Sequence, residues 1–83
     1  MLLDVDGRIA RLLLDAAEES ASAGGVIEKR LTHQTIAQII GASRETVSRA
    51  MRDFQTRGLI AVQRRQVIIS DRPGLEKLAH VRL

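Results

Sequence analysis

An 83-residue chain has room for one compact domain and little more, because a fold of this size buries only about three-fifths of the surface its unfolded chain exposes. Cysteine is absent, which excludes a disulfide framework, a thiol nucleophile and any thiolate zinc site, and the single aromatic, Phe54, excludes a stacking platform for single-stranded nucleic acid. The net charge of +3 is unevenly spread: residues 1–25 hold five acids and two bases, residues 26–70 eight bases and three acids, and residues 71–83 three bases and two acids, so the basic centre suits a polyanionic partner.

Between Gly7 and about Ser22, apolar residues Ile9, Leu12, Leu13 and Ala16 recur at helical intervals, after Asp4 and Asp6, either of which can cap a helix start. The small residues and two glycines of SASAGG, Ser20 to Gly25, break that helix, and VIEKRL then predicts a short strand or extended arm. Thr32 caps a second predicted helix, His33 to Ile40, with Ile36, Ile39 and Ile40 as its inward face, and Gly41 follows where a helix end favours a left-handed residue. Ser43 caps a third helix that ends at Gly58. A helix, a tight glycine turn and a capped helix make a helix-turn-helix. LIAVQRRQVIIS, Leu59 to Ser70, carries two β-rich runs that predict a hairpin tipped by Arg64 and Arg65, and Asp71 and Pro73 open a last short helix bearing Leu75, Leu78 and Ala79. The expected fold is mainly α with a small β-hairpin: a winged helix-turn-helix with a three-helix core, a wing and a short C-terminal helix, filling residues 1–83 as a single domain.

On the third helix, predicted over about residues 43–57, Arg44, Ser48, Arg52, Glu45 and Arg49 fall at roughly 0°, 40°, 80°, 100° and 140° around the axis. Val47, Met51, Phe54 and Ala50 fall at roughly 300°, 340°, 280° and 240° and form an opposite, apolar face for the core. A solvated helix face more usually mixes signs at four-residue spacing, whereas here three arginines share a face with one glutamate. Such a helix fits the major groove of DNA, where arginine bonds two acceptors of guanine and glutamate accepts from the cytosine amino group. Arg44, Glu45 and Arg49 are therefore base-reading candidates, with Ser48 between them able to touch a base edge or simply to let the helix approach. Thr32, His33, Gln34, Ser43, Thr46, Arg52, Arg64 and Arg65 are candidates for holding phosphate through hydroxyls, helix N-termini and guanidinium groups. For Thr32 and Ser43 helix capping is the competing role.

Through LDVDGRIARLLL, LTHQTIAQIIGASRETVSRAM, GLI and VIISDRPGLEKLA, nearly its whole length, the sequence resembles the DNA-binding domain of the cyclic-AMP receptor protein/FNR family of bacterial transcription regulators. The resemblance implies a homodimer that places one such helix in the major groove of each half of a palindromic site. Within SRETVSR it implies that Arg44, Glu45 and Arg49 read bases as in the receptor-protein branch, with its TGTGA-like half-site, whereas the FNR branch lacks the first arginine and reads with a serine matching Ser48. This sequence carries both Arg44 and Ser48, so the expectation is confined to G·C pairs opposite Arg49 and Glu45. The family's effector domain and dimerisation helix precede the matching point, so the chain is expected to be the C-terminal part of a longer regulator, with a stand-alone domain as the alternative. The resemblance admits RNA polymerase as a further partner, but EESASAGG is short where the activator carries its polymerase-contacting surface, and activation by that contact is not carried over.

The competing function is a winged helix used as a protein interaction module without base-specific DNA binding. An enzyme is not expected, since His33 and His80 lie far apart with no carboxylate at metal spacing, and no cofactor is expected in this chain. No apolar stretch approaches the ~20 residues needed to span a bilayer, which predicts no membrane partner and a cytoplasmic location.

Overall fold

The computed structural model describes residues 4–19, 26–27, 31–64 and 66–80. Helix α1 covers Val5–Glu19, strand β1 Val26–Ile27, helix α2 His33–Ile40, helix α3 Arg44–Thr56, strand β2 Ile60–Gln63, strand β3 Gln66–Ile69 and helix α4 Arg72–Ala79. None of the described helices is long and apolar enough to cross a membrane.

Each helix starts on a side chain that satisfies an otherwise unpartnered amide. Of the two aspartates at the start of α1, Asp4 is the cap, accepting from the Gly7 amide at 2.8 Å. Thr32 accepts from Thr35 N at 3.0 Å, Ser43 from Thr46 N at 3.1 Å and Asp71 from Gly74 N at 3.1 Å. Gly74 leaves room for that last cap: a Cβ there would lie 2.5 Å from Asp71 Oδ2 and 2.7 Å from Leu59 Cδ2. Helix α2 ends at Gly41, whose φ of 74° is left-handed and whose amide, with that of Ala42, returns to the Ala37 carbonyl. Helix α3 ends in a Schellman turn, with Gly58 at φ 73° donating to Gln55 O and Leu59 to Phe54 O. The Leu59 carbonyl in turn accepts from Ser70 N at 2.9 Å and Asp71 N at 3.1 Å, so one residue joins the end of α3, the hairpin and the start of α4.

The predicted hairpin forms, with Gln63 opposite Gln66 and Ile60 opposite Ile69. It belongs to a larger sheet than the sequence suggested, because Val26 and Ile27 pair with Ile68 and Val67 and make β1 a third antiparallel strand in the order β1-β3-β2. The remainder of VIEKRL as far as Arg30, the loop from Ser20 to Gly25 and the hairpin residue Arg65 lie outside the described residues.

The core is continuous from α1 through α3 to the sheet and α4, with Ile9, Leu13, Ile27, Ile36, Val47, Met51, Phe54 and Leu75 essentially sealed from solvent. Helix α1 packs most extensively on α4, and α2 on α3. The apolar face predicted for α3 is buried throughout, but that of α2 is corrected: Ile36 and Ala37 face inward, Ile40 is half-buried, and Ile39 is 54% exposed. Eight residues make barely two turns, and with Ala37 turned inward beside Ile36 the Ile39 side chain rotates to the opposite side. On α1, likewise, Leu14 is buried and Leu12 half-buried, since the helix also turns a side toward α4.

Asp6, in the first turn of α1, has its pKa pushed above the usual aspartate value of 3.8 by burial and by the neighbouring charges of Asp4 and Asp53, against an opposing pull from Arg57. An acid whose pKa is raised by folding favours the native state only while protonated, so its contribution is lost as pH rises through the folded value. Asp6→Asn is accordingly expected to raise Tm at pH 7, by an amount that shrinks as the pH falls below the aspartate range. Thermal melts between pH 3 and pH 8 check this, and a Tm difference constant over that span would contradict it.

Candidate nucleic-acid interface

Helix α3 carries the candidate surface. Its apolar face is fixed against the core, its N-terminus is tied by Ser43 and its C-terminus by Gly58, so the opposite face is held in one orientation. Arg44, Glu45, Ser48, Arg49 and Arg52 together line one hollow of the surface. Arg44, Glu45, Arg49 and Arg52 are exposed, and none of them enters an ion pair among the described residues. The ion pairs found there join Arg11 to Asp15, Arg57 to Asp53 and Arg72 to Glu76, all at four-residue spacing and away from this face. Three guanidinium groups and one carboxylate are thus presented to solvent without ion-pair partners among the described residues. At about 1.5 Å per residue the thirteen residues of α3 span ~20 Å, and an α-helix enters a major groove ~12 Å wide.

The two helix starts that flank the turn are wired alike. Thr32 and Ser43 each accept from the amide three residues on, and the hydroxyls of Thr35 and Thr46 accept from them in turn at 2.9 and 2.8 Å. Both predicted phosphate candidates are therefore caps, and with their hydrogens spent on the threonines it is Thr35 and Thr46 whose own hydrogens remain to donate. Thr35 was not singled out from the sequence, although the repeated spacing in THQT and SRET carries the signal. Gln34 is exposed on the first turn of α2. Arg64 stands exposed at the hairpin tip with φ 50°, the left-handed conformation that a two-residue turn asks of its first residue and that glycine or asparagine usually supplies. Arg65 lies outside the described residues.

His33 makes a contact that the sequence did not suggest. Its Nδ1 lies 2.8 Å from Ser48 Oγ, a hydrogen bond that joins the first residue of α2 to the middle of the polar face of α3, and both side chains are half-buried. Nothing in the one-dimensional pattern signals this pairing, since the two residues are fifteen positions apart on different helices. Among the described residues no cluster of three or more histidine or carboxylate side chains could hold a metal ion.

Residues 7–78 match the family described as the Crp-like helix-turn-helix domain. The chain is 43% identical over 79 residues to the CRP-like cAMP-activated global transcriptional regulator of Mycobacterium tuberculosis, covering 92% of this chain and 35% of that protein. It is 35% identical over 69 residues to the cAMP-activated global transcriptional regulator CRP of Salmonella typhimurium, covering 81% of this chain and 33% of that one. Among solved structures it is similar to a CRP-family transcriptional regulator of Thermus thermophilus, with a TM-score of 0.84 and 31% identity over 99% of this chain and 43% of that chain. FixK2 of Bradyrhizobium japonicum superposes equally well, at TM-score 0.84 and 27% identity over 96% of this chain and 40% of its own. The two curated relatives and the Thermus thermophilus protein are transcriptional regulators, and the chain spans about one third of the length of the curated ones.

Proposed function

The chain belongs to the Crp/FNR family of DNA-binding helix-turn-helix domains, and on that premise we propose that it reads duplex DNA by laying α3 in the major groove, as part of a bacterial transcription regulator. The observation that carries this is the polar face of α3, where Arg44, Arg49 and Arg52 stand beside Glu45 without ion-pair partners among the described residues, on a helix fixed at both ends. Arg44 and Arg49 bond guanine edges and Glu45 accepts from a cytosine amino group, while Arg52 reaches the backbone from the rim of the face. The N-termini of α2 and α3, with Gln34 and the Thr35 and Thr46 hydroxyls, meet phosphates on one side, and Arg64 and Arg65 on the hairpin meet the neighbouring strand.

Two copies on a palindrome supply the affinity that one copy lacks, because a single half-site buries little surface and forgoes the effective concentration of a second tethered domain. The curated relatives named above are cAMP-activated, and sensing of an effector falls, on this proposal, to a part of the regulator that the present residues do not include. Contact with RNA polymerase is assigned to no residue here.

Selection of binding sites from a random duplex pool tests the proposal. Enrichment of a palindrome with G·C pairs in each half is expected, with affinity falling steeply as salt rises because phosphate contacts release counterions. Binding that enriches no sequence and ignores salt would overturn it in favour of the protein interaction module.

A further inference from the structure

Ser48 lies in the middle of the reading face, between Arg44 and Arg52 along one side of α3 and next to Arg49. By itself a serine is a poor reader. Its hydroxyl carries one hydrogen and two lone pairs on a freely turning bond, so it can donate to a base acceptor or accept from a base amino group with equal ease. A side chain that pairs with either partner contributes contact without discrimination.

In this fold the Ser48 hydroxyl is not free to turn. His33 Nδ1 holds it at 2.8 Å, and His33 is itself fixed at the first position of α2, directly after the Thr32 cap. Ring nitrogens have fixed polarity for a given tautomer: when Nδ1 is bare the serine hydrogen points at it and only the lone pairs face outward, whereas an Nδ1 that carries the hydrogen takes one lone pair and leaves the serine hydrogen and the other lone pair open. With Nδ1 bare, Ser48 therefore offers the groove acceptors only, one polarity in place of two. The bond also crosses between helices, so it draws on the relative placement of α2 and α3 and not on the local geometry of α3 alone.

We propose that His33 is a positioning residue for base selection, its bare Nδ1 accepting the Ser48 hydrogen so that Ser48 faces the groove as an acceptor and discriminates at one base pair of each half-site. This rests on the proposal that α3 reads the major groove. It adds to that proposal a determinant on α2, a residue otherwise expected to touch only phosphate.

The test compares the wild-type chain with Ser48→Ala, His33→Asn and His33→Gln, by competition binding on duplexes in which each base pair of a selected half-site is varied in turn. Asparagine places an amide atom near the position of Nδ1 and keeps a partner for Ser48, whereas glutamine reaches past it toward the position of Nε2 and releases the hydroxyl. The wild type is expected to show, at one base pair, a preference of roughly tenfold that Ser48→Ala abolishes. His33→Gln is expected to flatten the preference at that same base pair to within about twofold, leaving those governed by Arg44 and Arg49 intact, while His33→Asn retains a preference there.

Three results would overturn the inference: a His33→Gln variant with the wild-type profile, a Ser48→Ala variant with the wild-type profile, or His33→Gln weakening every duplex alike with the ranking unchanged. In each of these the arginine-governed preferences persist, so groove reading by α3 survives. A wild-type chain with no preference at any base pair would instead sink groove reading itself. Melting temperatures of all variants, expected within a few degrees of wild type at these half-buried positions, show that a changed profile is not a changed fold.

Discussion

A chain with alanine at both Arg44 and Arg49 is expected to lose nearly all preference for a G·C-containing half-site over unrelated duplex, with each substitution alone costing about 1–3 kcal/mol of discrimination. In affinity that is roughly fivefold to 150-fold per arginine. The expectation comes from the position of the two side chains: both are exposed and without ion-pair partners among the described residues, so their hydrogen-bonding capacity is uncommitted until DNA supplies acceptors. For the same reason neither contributes much to folding, and the variants should melt with the wild type, as surface substitutions away from caps and core usually do. Arg49→Lys gives the sharper comparison. Lysine keeps the charge but cannot present the planar fork that bonds both guanine acceptors, so phosphate-driven affinity should persist while base preference falls. A lysine variant that keeps the wild-type preferences would show that Arg49 acts as a charge and not as a reader.

The second large effect concerns stability. Phe54→Ala is expected to destabilise the domain by about 3–5 kcal/mol, the range for removing a fully buried phenylalanine. Phe54 is the only aromatic, is wholly buried, and lies at the end of α3 where its carbonyl also accepts the Leu59 amide. An 83-residue domain is held together by roughly 4–12 kcal/mol, so this one substitution removes a large share of the total. Urea unfolding measures it directly. A loss below about 1 kcal/mol would mean that neighbouring side chains close over the space, and Phe54→Leu, which leaves a smaller void, should fall between the two.

Much of this was legible from the residues alone, for identifiable reasons. The helix-turn-helix could be placed to within a residue because Thr32, Gly41, Ser43 and Gly58 act locally: caps and left-handed turns depend on a few neighbouring backbone groups that the sequence specifies directly. The two faces of α3 were legible because thirteen residues give more than three turns over which a period shows. The same method misassigned Ile39, since α2 is too short for its period to distinguish two neighbouring directions. The short strand in VIEKRL was legible, but its pairing with β3 and the link between His33 and Ser48 depend on residues distant in sequence meeting in space, and no spacing rule encodes either. The arginine at the hairpin tip shows a further limit: Arg64 takes a left-handed turn without the glycine or asparagine that would have announced it.

Leu59 has a mechanical consequence. Its amide closes α3, its carbonyl receives both Ser70 and Asp71, and its side chain is buried beside Gly74, leaving no slack between the reading helix, the hairpin and α4. Three elements pinned through one residue behave as a lever without a hinge. Such a domain would settle on DNA by moving whole, and a tilt of α3 in the groove would be copied as a displacement at the hairpin tip. If α3 reads the groove as proposed, the distance between its base contacts and any contact from the hairpin is then set by the fold and not by a hinge.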